Sequence, residues 1–222
     1  LDKQAVIISL ETSGTTCGVA LSEGELIGAD YSIFGKNLHD RLHSEFIRRI
    51  LEDNGLTIEQ VDAVAVSAGP GSFTGLRIGG SIAKGLCFDE TPRFLAVPTL
   101  GAFACAAAGL ASVTGAGEIV AAIAGHKDFI YCQRFSPTGT ELAEPEVITL
   151  EQFSKMETRG RVFCGTAAGF VEKAASLPEF NRLSPRHVAK LAYKLYLEKR
   201  FSAADDFQPM YLMDFQPRTK GK

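Results

Sequence analysis

The run Asp62-Ala-Val-Ala-Val-Ser-Ala-Gly-Pro-Gly-Ser-Phe-Thr-Gly-Leu-Arg77 carries the residue types and spacing most suited to chemistry. A buried strand enters a glycine-rich elbow that opens a helix. The first N–H groups of a helix lack internal partners and carry partial positive charge, which is why α/β proteins hold phosphates there. The details depart from the common nucleotide motifs. A Walker loop needs Lys after its last glycine, and Gly75 is followed by Leu76. Gly69, Gly71 and Gly75 miss the G-x-G-x-x-G spacing by one residue, and Pro70 removes an N–H from any phosphate cradle. The elbow therefore predicts strand, turn and helix more than it predicts a ligand.

Other reactive side chains form weaker patterns. His39 and His43 stand four apart at a predicted helix start, a spacing that puts both on one face. A metal needs three or four ligands, and Asp40 and Glu45 point to other faces, so the pair reads as a solvated or interface helix start. Ser, His and Asp all occur, yet no G-x-S-x-G elbow does, and Ser72 is better explained as part of a helix N-terminus. Cysteines 17, 87, 105, 132 and 164 show no C-x-x-C spacing. Dispersed in apolar segments, they read as buried thiols of a reducing compartment, with Cys164 in the core.

The elements that must position these residues follow from periodicity. Strands are predicted at Ala5–Leu10, Cys17–Leu21, Leu26–Ile33, Ala63–Ser67 and Phe94–Val97. A helix covers about Asp40–Asn54, another runs from the elbow to about Phe88, and an alanine-rich one starts near Leu100. The second half begins as an echo: strand Ile119–Ala124, turn Gly125-His-Lys-Asp128, strand Phe129–Phe135. A strand at Arg161–Cys164, a short helix near Phe170–Ala175 and a longer helix with Ser184 as N-cap and Pro185 at its first position complete the chain. Two hairpin-led units, divided at 1–108 and 109–222 with the C-terminal segment able to return to the first, suggest an α/β, actin-like ATPase (ASKHA, ribonuclease H-like) fold of duplicated lobes. Composition is ordinary for a globular protein, 45% hydrophobic and 22% charged, with net charge −3. That balance argues against the chain gripping RNA alone, and Arg218, Lys220 and Lys222 form only a short basic terminus. No signal pattern or bilayer-length apolar run occurs, so the expected location is cytoplasmic, without membrane contact.

The run Ser67-Ala-Gly-Pro-Gly-Ser-Phe-Thr-Gly-Leu-Arg-Ile-Gly79 sharpens the reading. With Glu11-Thr-Ser13, His43-Ser-Glu45, Ala83-Lys-Gly-Leu86 and Pro209-Met-Tyr-Leu212, it resembles the bacterial TsaB (YeaZ) family. The resemblance spans nearly the whole chain and is strongest through Ala104. It implies a non-catalytic subunit in the synthesis of threonylcarbamoyladenosine on tRNA, beside the anticodon. The implied partners are the catalytic paralogue TsaD and a small ATPase, TsaE, with tRNA contacted only indirectly and a homodimer in isolation. The sequence departs from the family at Glu11, where Asp is usual, and at Ala124-Gly-His126, where an Asp-Ala-Arg run is usual.

Resemblance to actin-like enzymes implies a Mg-nucleotide clamp between the two hairpin turns, each offering an acid. The first turn keeps Glu11 with Thr12 and Ser13, whereas the second has Ala124 and Gly125, with Asp128 displaced. The clamp is thus expected to be degenerate, leaving ATP or ADP with Mg to a site at the partner interface. In the catalytic paralogue a His-x-x-x-His pair follows the fifth strand; here those positions are Thr99 and Phe103, which hold neither iron nor zinc.

The helix after the elbow contains Gly79, Gly80 and Gly85, each costing about 1 kcal/mol relative to Ala. Gly75, Gly79 and Ala83 line one side and let another backbone approach. Two readings stay open: a fully buried internal helix, or an interface. The resemblance implies pairing through this helix and the one before it, with His43, Phe46, Ile47, Ile50, Leu51, Phe73, Leu76, Arg77, Ile78, Ser81 and Lys84 as candidate contacts. On that reading Phe46→Asp or Ile50→Asp weakens pairing and spares the monomer. The alternatives are an independent ATP-dependent kinase or hydrolase, or a glycopeptidase-type enzyme, of the same fold, and a dinucleotide-binding module. The last wants an acid ending the strand after the elbow helix, where Val97-Pro-Thr99 stands.

Overall fold

The computed structural model describes residues 4–35, 39–89 and 91–212, with side chains of the first helix from Leu42 onward. The His39 side chain and the Arg218, Lys220 and Lys222 cluster lie outside the described residues.

The chain opens with an antiparallel meander of β1 (Val6–Glu11), β2 (Thr16–Glu23) and β3 (Leu26–Phe34). Helix α1 (His39–Asp53) leads to β4 (Ala63–Gly69), which lies parallel to β1. Helix α2 (Phe73–Leu86) and β5 (Arg93–Pro98) complete a sheet of order β3-β2-β1-β4-β5. Helix α3 (Thr99–Thr114) then carries the chain to a second unit. There β6 (Glu118–Ala124), β7 (Phe129–Phe135) and β8 (Glu146–Thr149) form another meander. After α4 (Leu150–Ser154) comes β9 (Arg161–Cys164), parallel to β6, giving the order β8-β7-β6-β9. The last helix is α5 (Pro185–Leu197). Each sheet therefore sets the third, second, first and fourth strands of its unit side by side. This is the duplicated ribonuclease H-like, actin-like α/β fold.

Period-2 alternation in the strands decides the layers. In the first sheet Ile8, Leu10, Val64, Val66 and Phe94 face α1 and α2. Ile7, Ala63, Ala65, Leu95 and Val97 face the other way, toward α5. Helix α3 lies on the second sheet against Ile119, Ala121 and Val162, and packs on α5. One apolar cluster thus runs from sheet to sheet through both helices. A smaller one, with Val120, Phe153 and Phe163, sits under α4 on the far face of the second sheet. Helix α3 runs unbroken through the 108/109 division expected from the sequence.

Two local differences have physical causes. The helix expected near Phe170–Ala175 is only a 3₁₀ turn at Ala168–Phe170. Ala175 is drawn to the sheet edge instead, accepting from Phe163 N–H at 2.9 Å and bridging Val162. Strand β8 and helix α4 were not expected, being too short for a periodicity signal. The Thr149-x-x-Gln152 capping box was their one local mark: Thr149 Oγ1 accepts from Gln152 N–H at 3.1 Å.

Candidate functional site

The end of β1 places Glu11 at the base of the first hairpin turn, fully buried. Its Oε1 accepts from Ser13 N–H and Ser13 Oγ–H, each at 2.7 Å. Ser67, on the adjacent strand β4, donates its hydroxyl to the other carboxylate oxygen. Burial pushes the Glu11 carboxyl up to about 7, with the Ser67 and Ser13 hydrogen bonds pulling the other way. The group faces protein on every side. Thr12 and Ser13 are buried too, leaving Gly14 and Thr15 as the exposed tip.

What buries this turn is α2. Ser72 caps the helix, accepting from Gly75 N–H at 3.2 Å, while its own N–H donates to Ser13 O at 2.7 Å. Gly71, Gly75 and Gly79, four residues apart, run along the turn. A Cβ at Gly71 would lie 2.6 Å from Ser13 O, one at Gly75 would strike Thr12 O, and one at Gly79 would strike the Thr12 side chain. The backbone that the glycine stripe admits is therefore the chain's own first turn. That face of α2 is an internal one, and Leu76 on it is fully buried.

The elbow is pinned from its other side by the C-terminal segment. Gly69 stands at φ +107°, a conformation L side chains rarely adopt, and a Cβ there would meet Met210 O at 2.6 Å. Met210 N–H donates to Ala68 O at 2.7 Å, and Gly69 N–H donates to Thr99 Oγ1 at 3.1 Å. The Phe207 ring fills the notch at Gly80 and stacks at 5.0 Å on Phe94. Lys84 Nζ donates to Asp205 O at 2.9 Å, and Tyr211 lies 5.1 Å from the Phe73 ring. Residues 205–211 thus strap the outer side of α2. Sequence reasoning found Pro209-Met-Tyr-Leu212 only through the resemblance, because a single extended pass over a helix has no periodicity.

The second turn is open and lacks an inward carboxylate. Ala124 is exposed, and its N–H donates to Thr166 Oγ1 at 2.9 Å. Gly125 N–H donates to Phe129 O at 2.8 Å, closing the turn. Asp128 is exposed and lines a shallow depression with Thr149, Leu150 and Glu151. Thr99 and Phe103 are both buried at the head of α3. No trio of His, Cys, Asp or Glu able to hold a metal occurs among the described residues. Nor does any helix there have the length and apolarity to cross a membrane.

Known proteins place this arrangement. Residues 35–193 match the family described as TsaD: tRNA N6-adenosine threonylcarbamoyltransferase. The tRNA threonylcarbamoyladenosine biosynthesis protein TsaB of Haemophilus influenzae is 31% identical over 93% of this chain and 92% of its own. The chain belongs to the TsaB family. The Escherichia coli protein of the same name is 30% identical over 56% of this chain and 52% of its own. Among solved structures, YeaZ from Pseudomonas aeruginosa superposes with TM-score 0.79 at 26% identity, covering 94% of this chain and all of that one.

In this TsaB-family chain the candidate contacts on α1 and α2 separate into two sets. His43, Ile47, Ile50 and Leu76 are buried within the monomer, so they are core and not surface. A broad apolar face on a helical wheel does not say which part meets the sheet; here Ile47 and Ile50 point at β2. The expectation that Ile50→Asp spares the monomer is corrected accordingly. Phe46, Leu51, Phe73, Ile78 and Lys84 are half-buried, and Arg77 and Ser81 are exposed. Four cysteines are buried and Cys105 is half-buried. Burial raises Cys87 and Cys132 to about 12, and Cys164 further still, which makes them inert.

Proposed function

We propose that this chain serves in tRNA threonylcarbamoyladenosine biosynthesis as a non-catalytic subunit that docks the catalytic paralogue TsaD. The observation that carries this reading is Glu11. The single acid left in the clamp is sealed under α2, with both oxygens engaged by Ser13 and Ser67. A carboxylate so placed binds structure together and does not reach a Mg-nucleotide. The partly exposed strip of α1 and α2, centred on Phe46, Ile78 and Ser81, is the docking face, and self-association in isolation uses the same face. ATP or ADP with Mg binds only where the partner completes a site, and tRNA is held chiefly by the partner.

Reconstitution tests this directly. Modification of tRNA by TsaD and TsaE should depend on added chain, and the chain alone with Mg-ATP should show no turnover. Turnover by the isolated chain would overturn the non-catalytic reading. Ile78→Asp should abolish co-purification with TsaD in a normally folded monomer; wild-type binding by that variant would overturn the docking face.

A further inference from the structure

The strap over α2 builds a feature that neither the helix nor the segment has alone. Arg77, on the exposed side of α2, lies with its guanidinium carbon 3.8 Å above the centre of the Phe73 ring. The Tyr211 ring is 5.9 Å from that carbon on the strap side, and Arg77 Nε–H donates to Tyr211 Oη at 3.2 Å. The guanidinium is thereby stacked on the Phe73 ring and tied at its edge to the Tyr211 hydroxyl, with one N–H engaged. The N–H donors of its terminal nitrogens remain, and among the described residues no carboxylate pairs with them. An arginine whose plane is fixed loses little entropy on taking a bidentate acceptor, and its fork geometry matches a carboxylate.

The strap that holds it is a fixed part of the fold. Phe207 is buried in a notch that only glycine at position 80 leaves open. Gly69 likewise has no room for a Cβ beneath Met210, whose N–H is bonded to Ala68. The outer side of the strap is half open, with Met210 39% and Tyr211 41% exposed, beside a cation. Aromatic, Met and Arg side chains in this proportion make up the anchor regions of protein interfaces.

We propose that Phe73, Arg77 and Tyr211 form a composite anchor that receives a carboxylate side chain of the partner protein, so that the docking face is α2 together with the C-terminal strap. This rests on the docking role proposed above and specifies its chemistry. Arg77 supplies the charge, Phe73 and Tyr211 fix its plane, and Met210 closes the apolar rim.

The test uses the 222-residue chain and purified TsaD, with the dissociation constant measured at two salt concentrations. The variants are Arg77→Gln, Arg77→Lys, Tyr211→Ala and their double mutant Arg77→Gln/Tyr211→Ala. Ile78→Asp reports on docking itself, and thermal melts confirm that each surface variant folds. Arg77→Gln and Tyr211→Ala should each weaken binding about tenfold or more. The double mutant should be little worse than either, since both remove one anchor. Arg77→Lys should not restore affinity, because a point charge cannot reproduce the fork. Wild-type affinity in Arg77→Gln or Tyr211→Ala, with Ile78→Asp still disruptive, would overturn the anchor and leave the docking face standing. Unchanged affinity in all variants would overturn both. Unaltered TsaD affinity with weakened tRNA binding by the complex would overturn the anchor in favour of an RNA phosphate.

Discussion

Replacing Glu11 by Gln tests the account of the first turn by its pH dependence. The carboxyl ionises at 4.5 in an unfolded chain and at about 7 in the fold. At about 1.4 kcal/mol per pH unit, that difference amounts to about 3 kcal/mol. Its sign follows from proton binding. Between pH 4.5 and 7 the folded state keeps a proton that the unfolded state has released, so stability falls as pH rises. The contribution is complete below 4.5, is lost by about 7 and stays constant above. Glutamine makes the same contacts without a charge: its oxygen accepts from Ser13, and its amide donates to Ser67, whose hydroxyl already lies 3.4 Å from Leu10 O. The stability of Glu11→Gln relative to the parent should therefore rise by about 3 kcal/mol from pH 4.5 to 8. For a chain of this length that corresponds to about 6 to 12 °C in melting temperature. Urea unfolding of both proteins at pH 5, 6, 7 and 8 measures it, and groups common to both cancel in the difference. A difference that stays constant across this range would refute the claim that desolvation dominates Glu11.

Two of the glycines of α2, Gly79 and Gly85, should behave differently by urea unfolding. Gly79→Ala drives a Cβ into Thr12 and should cost about 2 kcal/mol net of helix propensity, whereas Gly85→Ala meets nothing within 4 Å and should gain about 1 kcal/mol. Ile50→Asp should cost about 4 kcal/mol or more and abolish soluble folded protein, since it puts an unpaired carboxylate at a fully buried position; circular dichroism decides. Alkylation of the native protein at pH 8 should label Cys105 first, with the other four thiols reacting only on unfolding, as peptide mass mapping would show.

Much of the fold was legible because its strands are apolar runs ended by small residues. Ala63–Ser67 and Ile119–Ala124 announce themselves in this way, and the echo of strand, turn and strand announces the duplication. The Ser184-Pro185 start of α5 was equally plain, and there Ser184 N–H donates to His187 Nδ1 at 3.4 Å. The site was harder. The partner of the Gly71, Gly75 and Gly79 stripe lies about sixty residues upstream in Thr12 and Ser13, and no local pattern encodes so distant a contact. Ser67 looked like the last residue of a strand, yet its hydroxyl secures Glu11 across the sheet. The apolar excess of α1 was visible, but only the sheet decides that Ile50 turns inward while Phe46 remains half open.

The placement of α5 against β1, β2, β4 and β5 has a consequence for how the molecule is made. Ile7, Ala63, Ala65 and Leu95 belong to strands synthesised about a hundred residues or more before the helix that covers them, which ends at Leu197. Until that helix leaves the ribosome, one whole face of the first sheet has no lid, and the last strap over α2 arrives later still. A nascent chain stalled before α5 therefore displays an apolar sheet to chaperones, and the first unit is completed only after the strands of the second have been made.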